Sequence, residues 1–209
     1  KLSGTGALHV TTITMESGTP IPGASRIFDV SGGTLTVDTV NFGTNESTAT
    51  REFNIRGGNV TIGSITTGNN GLLHISGGTV NFTTRLTLSS GSTVRTSIPL
   101  SLATPISLGN FTAQVDSSEL TLSGPVSIAS GGRTITKTGA GTLTLQGAWT
   151  MTTGNSGVTV NEGTLNLDVN PTGSNNVNIV VANPGATANL RIPRGDFNNL
   201  SAAGGVIRV

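Results

Sequence analysis

The chain has no cysteine, no tyrosine, a single tryptophan and few charges. Each absence removes a class of function. Without cysteine there is no disulfide, no thiolate zinc site and no cysteine nucleophile. Secreted domains below about 80 residues often need disulfides, but 209 residues can bury a core without them. Charged residues make up 10% and the net charge is +1, so there is no electrostatic footprint for nucleic acid or an anionic membrane. No apolar run reaches the roughly 18 residues of a membrane-spanning helix, and no membrane insertion is expected. Helical periodicity never persists, and the Ala, Glu and Lys that would support it are sparse. The chain starts at Lys1 without a signal peptide, which reads as a processed, trimmed or internal piece.

What fills the sequence is Gly, Thr, Ser and Asn. Thr suits strands, while Gly and Asn suit tight turns. A glycine turn followed by apolar–polar–apolar alternation recurs at Gly32–Val37, Gly57–Ile62, Gly77–Phe82 and Gly204–Val209. The same apolar pair recurs as Leu8/Val10, Leu100/Leu102, Leu120/Leu122, Leu143/Leu145, Leu165/Leu167 and Leu190/Ile192. Its first members are spaced by 27, 25, 20, 20, 20, 23, 22, 25 and 17 residues. A period near 22 enclosing a period of two means stacked β coils. The expected fold is all-β, a single-stranded right-handed parallel β-helix of about ten coils of 20–25 residues. Coils stacked at about 4.8 Å would give a rod roughly 45 Å long.

The register extends upstream, because Phe28/Val30, Phe53/Ile55 and Leu73/Ile75 each precede a Gly-Gly pair by the same interval. The paired glycines are therefore the bend between two sheet faces. Within the alternation, Leu143 points inward and Thr144 outward, so Thr144→Asp should be tolerated. Loop insertions are expected near 16–26, 44–51, 148–156 and 170–176, where the spacing lengthens. The stretch Ile98–Leu108 carries two prolines, which weakens its claim to strands. No flexible linker divides the chain, so residues 1–209 read as one continuous solenoid domain.

One stretch has a more specific wording. Thr134-Ile135-Thr136-Lys137-Thr138-Gly139-Ala140-Gly141-Thr142-Leu143-Thr144-Leu145-Gln146-Gly147, followed by Gly157–Leu167 with Glu162-Gly163-Thr164-Leu165, resembles the autotransporter-associated β-strand repeat. The match spans about 35 residues. It departs from the family at Ala148–Ser156, where an aromatic Tyr-Thr-Gly turn is usual and Trp149 and Met151 stand instead. The resemblance implies a parallel β-helix, secretion and display at a bacterial cell surface. It brings no catalytic residues, because the repeat is itself a structural element.

Sites for chemistry are sparse. Glycoside hydrolysis needs two carboxyl groups within about 10 Å. Asp38 and Asp168 occupy equivalent positions but lie five coils apart, and Asp116 and Glu119 lack an evident third group. His9 and His74 fall at different positions of the repeat, three coils apart, so they make no shared metal site, and His74 faces out of the core. Gly4-x-Gly6 and Gly139-x-Gly141 lack the helix and acidic partner of a dinucleotide site and read as turns. No catalytic, cofactor-binding or metal-binding residue is assigned. Outward threonines and asparagines in register (Thr34, Thr36, Asn59, Thr61, Thr79, Asn81, Thr142, Thr144, Thr164, Asn166) raise an ice-binding alternative, interrupted by Pro99, Glu119 and Arg191. Asn45, Asn59, Asn81, Asn110 and Asn199 begin Asn-x-Ser/Thr triplets, which so Asn- and Thr-rich a chain produces by composition. Trp149 is the candidate contact for a glycan or partner, unless it folds over the core.

The expected function is mechanical: a non-enzymatic, secreted or cell-surface solenoid serving as stalk, adhesin passenger or fibre subunit. The first alternative is a carbohydrate-binding or carbohydrate-active β-helix. The expected partners are a host or glycan surface and the chain itself, head to tail. Leu8 and Val10 on the first coil and Ile207 and Val209 on the last are the candidate end-to-end contacts.

Overall fold

The computed structural model describes residues 1–15, 25–43, 50–128, 132–151, 156–169, 171–173, 177–191 and 197–209. Early turns use long strands that run through their corners: β1 (Ala7–Thr14), β2 (Ser25–Asn41), β3 (Thr50–Thr67) and β4 (Gly71–Leu88). Later turns break the same path into short strands. These are β5 (Ser92–Thr96), β6 (Leu100–Leu102), β7 (Ile106–Leu108), β8 (Phe111–Val115), β9 (Glu119–Leu122), β10 (Val126–Ile128), β11 (Thr134–Thr138), β12 (Thr142–Leu145) and β13 (Trp149–Met151). The path continues through β14 (Ser156–Val160), β15 (Thr164–Leu167), β16 (Pro171–Gly173), β17 (Val177–Val181), β18 (Thr187–Leu190), β19 (Phe197–Ala202) and β20 (Val206–Arg208). Every pairing between them is parallel, and the described residues form no helix. The fold is a parallel β-solenoid.

Three faces emerge from the register. On the first, Phe28, Phe53, Leu73, Val94, Ala113, Lys137, Val160 and Val181 stack in one inward column. On the second, Leu8, Leu35, Val60 and Val80 stack, and then Leu100, Leu120, Leu143, Leu165, Ala188 and Ile207. On the third, Ile13, Val40, Ile65, Leu86, Ile106, Val126, Trp149 and Pro171 follow one another. The second-face ladder is broken between β4 and β6 among the described residues. Pro99, immediately before β6, has no N–H to give to a ladder there.

These registers correct the expected coil count. The solenoid has about seven turns, those that carry a strand on all three faces. The ten second-face rows counted from the sequence include partial turns at both ends. The register of the penultimate row is also corrected. Leu165 stacks on Ala188 and Leu167 on Leu190, so the core pair is Ala188/Leu190 and not Leu190/Ile192.

The Gly-Gly corners behave as their sequence requires. Gly58 and Gly78 have φ of +83° and +80°, which costs a side-chain-bearing residue conformational energy. A Cβ on Gly58 would also stand 2.5 Å from the carbonyl oxygen of Gly33, and one on Gly78 2.6 Å from that of Gly58. Backbone thus lies directly on backbone from one corner to the next.

Four expected loops meet different outcomes. Residues 16–24 and 44–49 lie outside the described residues, but Ser25 and Arg26 begin β2, and Thr50 and Arg51 begin β3. Within 148–156 and 170–176, Trp149–Met151 and Pro171–Gly173 are third-face strands paired to each other, not loop. The proline-bearing stretch Ile98–Leu108 likewise supplies β6 and β7, because Pro99 and Pro105 precede their strands rather than interrupt them. One apolar core runs the length of the stack from Met15 to Leu190.

Candidate functional site

Because inward positions are filled by the core, any chemistry must sit on the outward columns. Alternation places Asp29, Asn54, His74, Arg95 and Gln114 in one such column on the first face. Beside it runs a second column: Ile27, Glu52, Leu72, Thr93, Thr112, Thr136 and Thr159. The charges of these columns lie in the early turns, and the later turns are neutral hydroxyls.

Asp116 organises the charged end. It sits at the corner after β8 and accepts hydrogen bonds from Arg95 Nε at 2.9 Å, Ser97 Oγ at 2.7 Å and Gln114 Nε2 at 3.1 Å. These donors outweigh the effect of burial and hold its carboxyl below the usual carboxylate range. His74 is kept neutral toward lower pH, first by burial and then by the Arg95 charge. Its Nε2 is buried and has no hydrogen-bond partner among the described residues. Arg56 Nε lies 3.4 Å from Asp29, and Asn54 donates to Glu52 at 3.2 Å.

A groove of about 310 Å3 opens over β4, β5 and β8, lined by Asn70, Gly71, Leu72, Gly91, Thr93, Arg95 and Gln114. Two other depressions are less distinctive. One of about 430 Å3 crosses the neutral surface around Thr134, Gly157, Thr159 and Asn199. The other, about 440 Å3, lies at a corner beside Glu162 and Pro184.

Each described carboxylate has a polar or basic neighbour, though Asp29 Oδ1 and Asp168 Oδ1 are buried without a hydrogen-bond partner among the described residues. Asp38 lies 3.7 Å from His9 Nε2, and Asp168 lies 3.8 Å from Arg191. Glu162 accepts from the Gly139 amide at 2.9 Å, and Glu119 from Thr144 Oγ1 at 2.6 Å. Asp116 and Glu119 therefore belong to separate networks. His9 and His74 lie on different faces. Among the described residues, no group of three or more acidic or histidine side chains is placed to hold a metal.

The Glu119–Thr144 bond begins a ladder on the outside of the second face. Asn166 donates to Thr144 at 3.3 Å, and Asn189 donates to Asn166 at 2.8 Å. Thr144 does point outward, but it is only 2% exposed. The expectation that it would tolerate Asp is therefore overturned: a carboxylate there would be buried against Glu119. The same bonds tie part of the threonine array considered for ice binding into the protein itself.

Of the two readings of Trp149, the structure bears out the one in the core: its strand pairs with β10 and β16, and the ring is 1% exposed, so it offers no surface to a partner. The end residues are open instead. Leu8 is 38% and Val209 95% exposed, while Val10 and Ile207 are half-buried against the core.

Two buried cations had not been singled out as site residues. The Lys137 side chain is fully buried, and its Nζ donates to the carbonyls of Thr138, Gly139 and Glu162 at 2.8, 2.6 and 3.1 Å. Burial pushes its pKa down to about 8, with Glu162 opposing. Arg51 is fully buried at another corner and donates to the carbonyls of Gly43 and Asn69, each at 3.3 Å. Both serve corner carbonyls that the sheet ladders leave over.

No protein-family model matches the chain, and no curated protein or solved structure does. The likeness to the autotransporter-associated repeat rests on the residues quoted above.

Proposed function

We propose that this chain is a non-enzymatic extracellular solenoid with a mechanical role, as a stalk, adhesin passenger or surface-fibre subunit. The observation that carries the reading is the division between inside and outside. A continuous core joins about seven turns, while the outer columns are mostly small hydroxyl and amide side chains. On the third face, for example, Thr66, Thr87, Ser107, Ser127 and Thr150 follow one another. Such a body resists bending, because successive turns are hydrogen-bonded to one another along most of their length. The autotransporter-like wording supports surface display, and the placement of Asp116 and Glu119 in separate networks favours a non-enzyme. Purified protein incubated with acidic and neutral polysaccharides should release no reducing ends. Turnover abolished by Asp116→Asn or Glu119→Gln would overturn the reading.

A second copy stacked head to tail is the partner this reading favours. Leu8 and Val10 on the first second-face row, and Ile207 and Val209 on the last, repeat the apolar–polar–apolar pattern that neighbouring rows share. That shared pattern is what would let a row of a second copy continue the stack. Light scattering and electron microscopy should show rods that lengthen with concentration, and Val209→Asp should shorten them. A single species at every concentration would refute the stacking.

A further inference from the structure

We propose that the groove over β4, β5 and β8 binds the carboxylate of an acidic saccharide, with Arg95 as its anchor. The site is independent of whether the rod serves as stalk or fibre.

Arg95 carries the argument. Its Nε donates to Asp116 Oδ2 at 2.9 Å, which anchors the guanidinium at one nitrogen. The side chain remains 40% exposed and lines the groove. Its terminal nitrogens have no partner among the described residues. A guanidinium held along one edge and open along the other presents paired N–H donors in the geometry that a carboxylate takes bidentately. Asp116 offsets part of the positive charge, but it already accepts three hydrogen bonds, from Arg95, Ser97 and Gln114. The Arg95 fork therefore lines the groove without being consumed by Asp116.

The other lining groups favour a sugar over a peptide. Thr93 and Gln114 bring a hydroxyl and an amide, groups that both donate and accept, as ring hydroxyls require; Gln114 Nε2 already donates to Asp116, which leaves its Oε1 as an acceptor. Leu72 gives an apolar patch for the C–H face of a ring. An extended peptide would dock by adding a strand to a free edge. Here β5 is paired on both sides, by β4 and β8, so its backbone has nothing to offer. The volume, about 310 Å3, is at the small end of ligand sites. Neither of the other two depressions holds an oriented cation.

The test is calorimetric titration of the full chain with tetragalacturonate, its fully methyl-esterified form and a hexaglutamate peptide. The acid oligomer should give a saturable isotherm and the ester and peptide none. Arg95→Lys should weaken binding at least tenfold, because it keeps the charge and loses the fork, and Arg95→Gln should abolish it. Thr93→Phe fills the groove without touching the Arg95–Asp116 pair, and it should abolish binding even if the arginine variants fold poorly. The proposal is overturned if the acid oligomer gives no isotherm. Equal binding of the ester or the peptide, or binding that survives Thr93→Phe, overturns it as well.

Discussion

Replacing Lys137 with Met should change how stability depends on pH more than stability itself. The Lys137 pKa falls from 10.5 when free to about 8 in the fold. Between those values the unfolded chain binds more protons than the folded one, so stability rises with pH. The cost of burying the ammonium is present in full below pH 8 and is gone above the unfolded value. A shift of this size is worth about 3 kcal/mol. Against it stand the three carbonyl contacts of Nζ, each worth about 1.5 kcal/mol or more when the donor is charged. Three such contacts sum to at least about 4.5 kcal/mol, so at pH 7 they outweigh the burial cost and Lys137→Met should be the less stable by about 1–2 kcal/mol. As the pH rises toward 10.5 the parent should gain about 3 kcal/mol and the variant should not. The variant carries the same Lys1 and N-terminus, and the chain has no Tyr or Cys, so the difference between the two pH curves isolates Lys137. Trp149, the single tryptophan and a buried one, reports unfolding directly. Urea midpoints followed by its fluorescence at pH 7, 9 and 10.5 decide the matter. Parallel pH curves for the parent and the variant would refute the buried-ammonium account.

Thr144→Asp should destabilise by about 2–4 kcal/mol, by burying a carboxylate beside Glu119, and Glu119→Gln in the same chain should recover part of the loss; urea melts of the four combinations measure this. Gly58→Ala and Gly185→Ala separate strain from clash. Both have positive φ, but a Cβ at Gly185 meets nothing within 4 Å, so it should cost only about 1 kcal/mol, and Gly58→Ala clearly more. Trp149→Ala should cost about 3–5 kcal/mol in thermal or chemical melts.

The architecture was legible because two signals coincide on the second face. A positive-φ glycine marks each early corner, and the apolar pair after it repeats at nearly constant spacing. The third face gave less. Its strands are often three residues long, so each contributes only two inward side chains, as Val126 and Ile128 do. That is too short for alternation to show, and Trp149 was placed in a loop as a result. The register slip near the C-terminal end has a similar cause. Ala188 is fully buried in a column of leucines but is too small to read as a core residue. The neighbouring Leu190/Ile192 mimics the motif two residues late. Lys137 and Arg51 were readable in principle. Lys137 shares the inward parity of Ile135, and Arg51 that of Phe53 and Ile55. Charge made the inward position look wrong, whereas the leftover corner carbonyls make it favourable.

The groove was the least legible feature, because its parts are one coil apart. Arg95 and Asp116 are separated by 21 positions, so neither appears near the other until the chain is wound at its own period. Adjacency in the chain pairs Asp116 with Glu119 instead, which the corner sends to a different face. In a solenoid, spatial neighbours are residues one period apart as well as residues adjacent in the chain. Inward positions are constrained by several kcal/mol each, whereas a surface substitution away from special contacts costs about 0.5 kcal/mol or less. Recognition chemistry can therefore accumulate on outward columns without cost to the rod. The first face shows what such accumulation looks like: Arg56, Arg95 and Asp116 on early turns, giving way to Thr136 and Thr159 on later ones. Uniform outer columns are what a spacer needs. A pair such as Arg95 and Asp116, on neighbouring turns and locked by a hydrogen bond, is better suited to contact with a specific ligand.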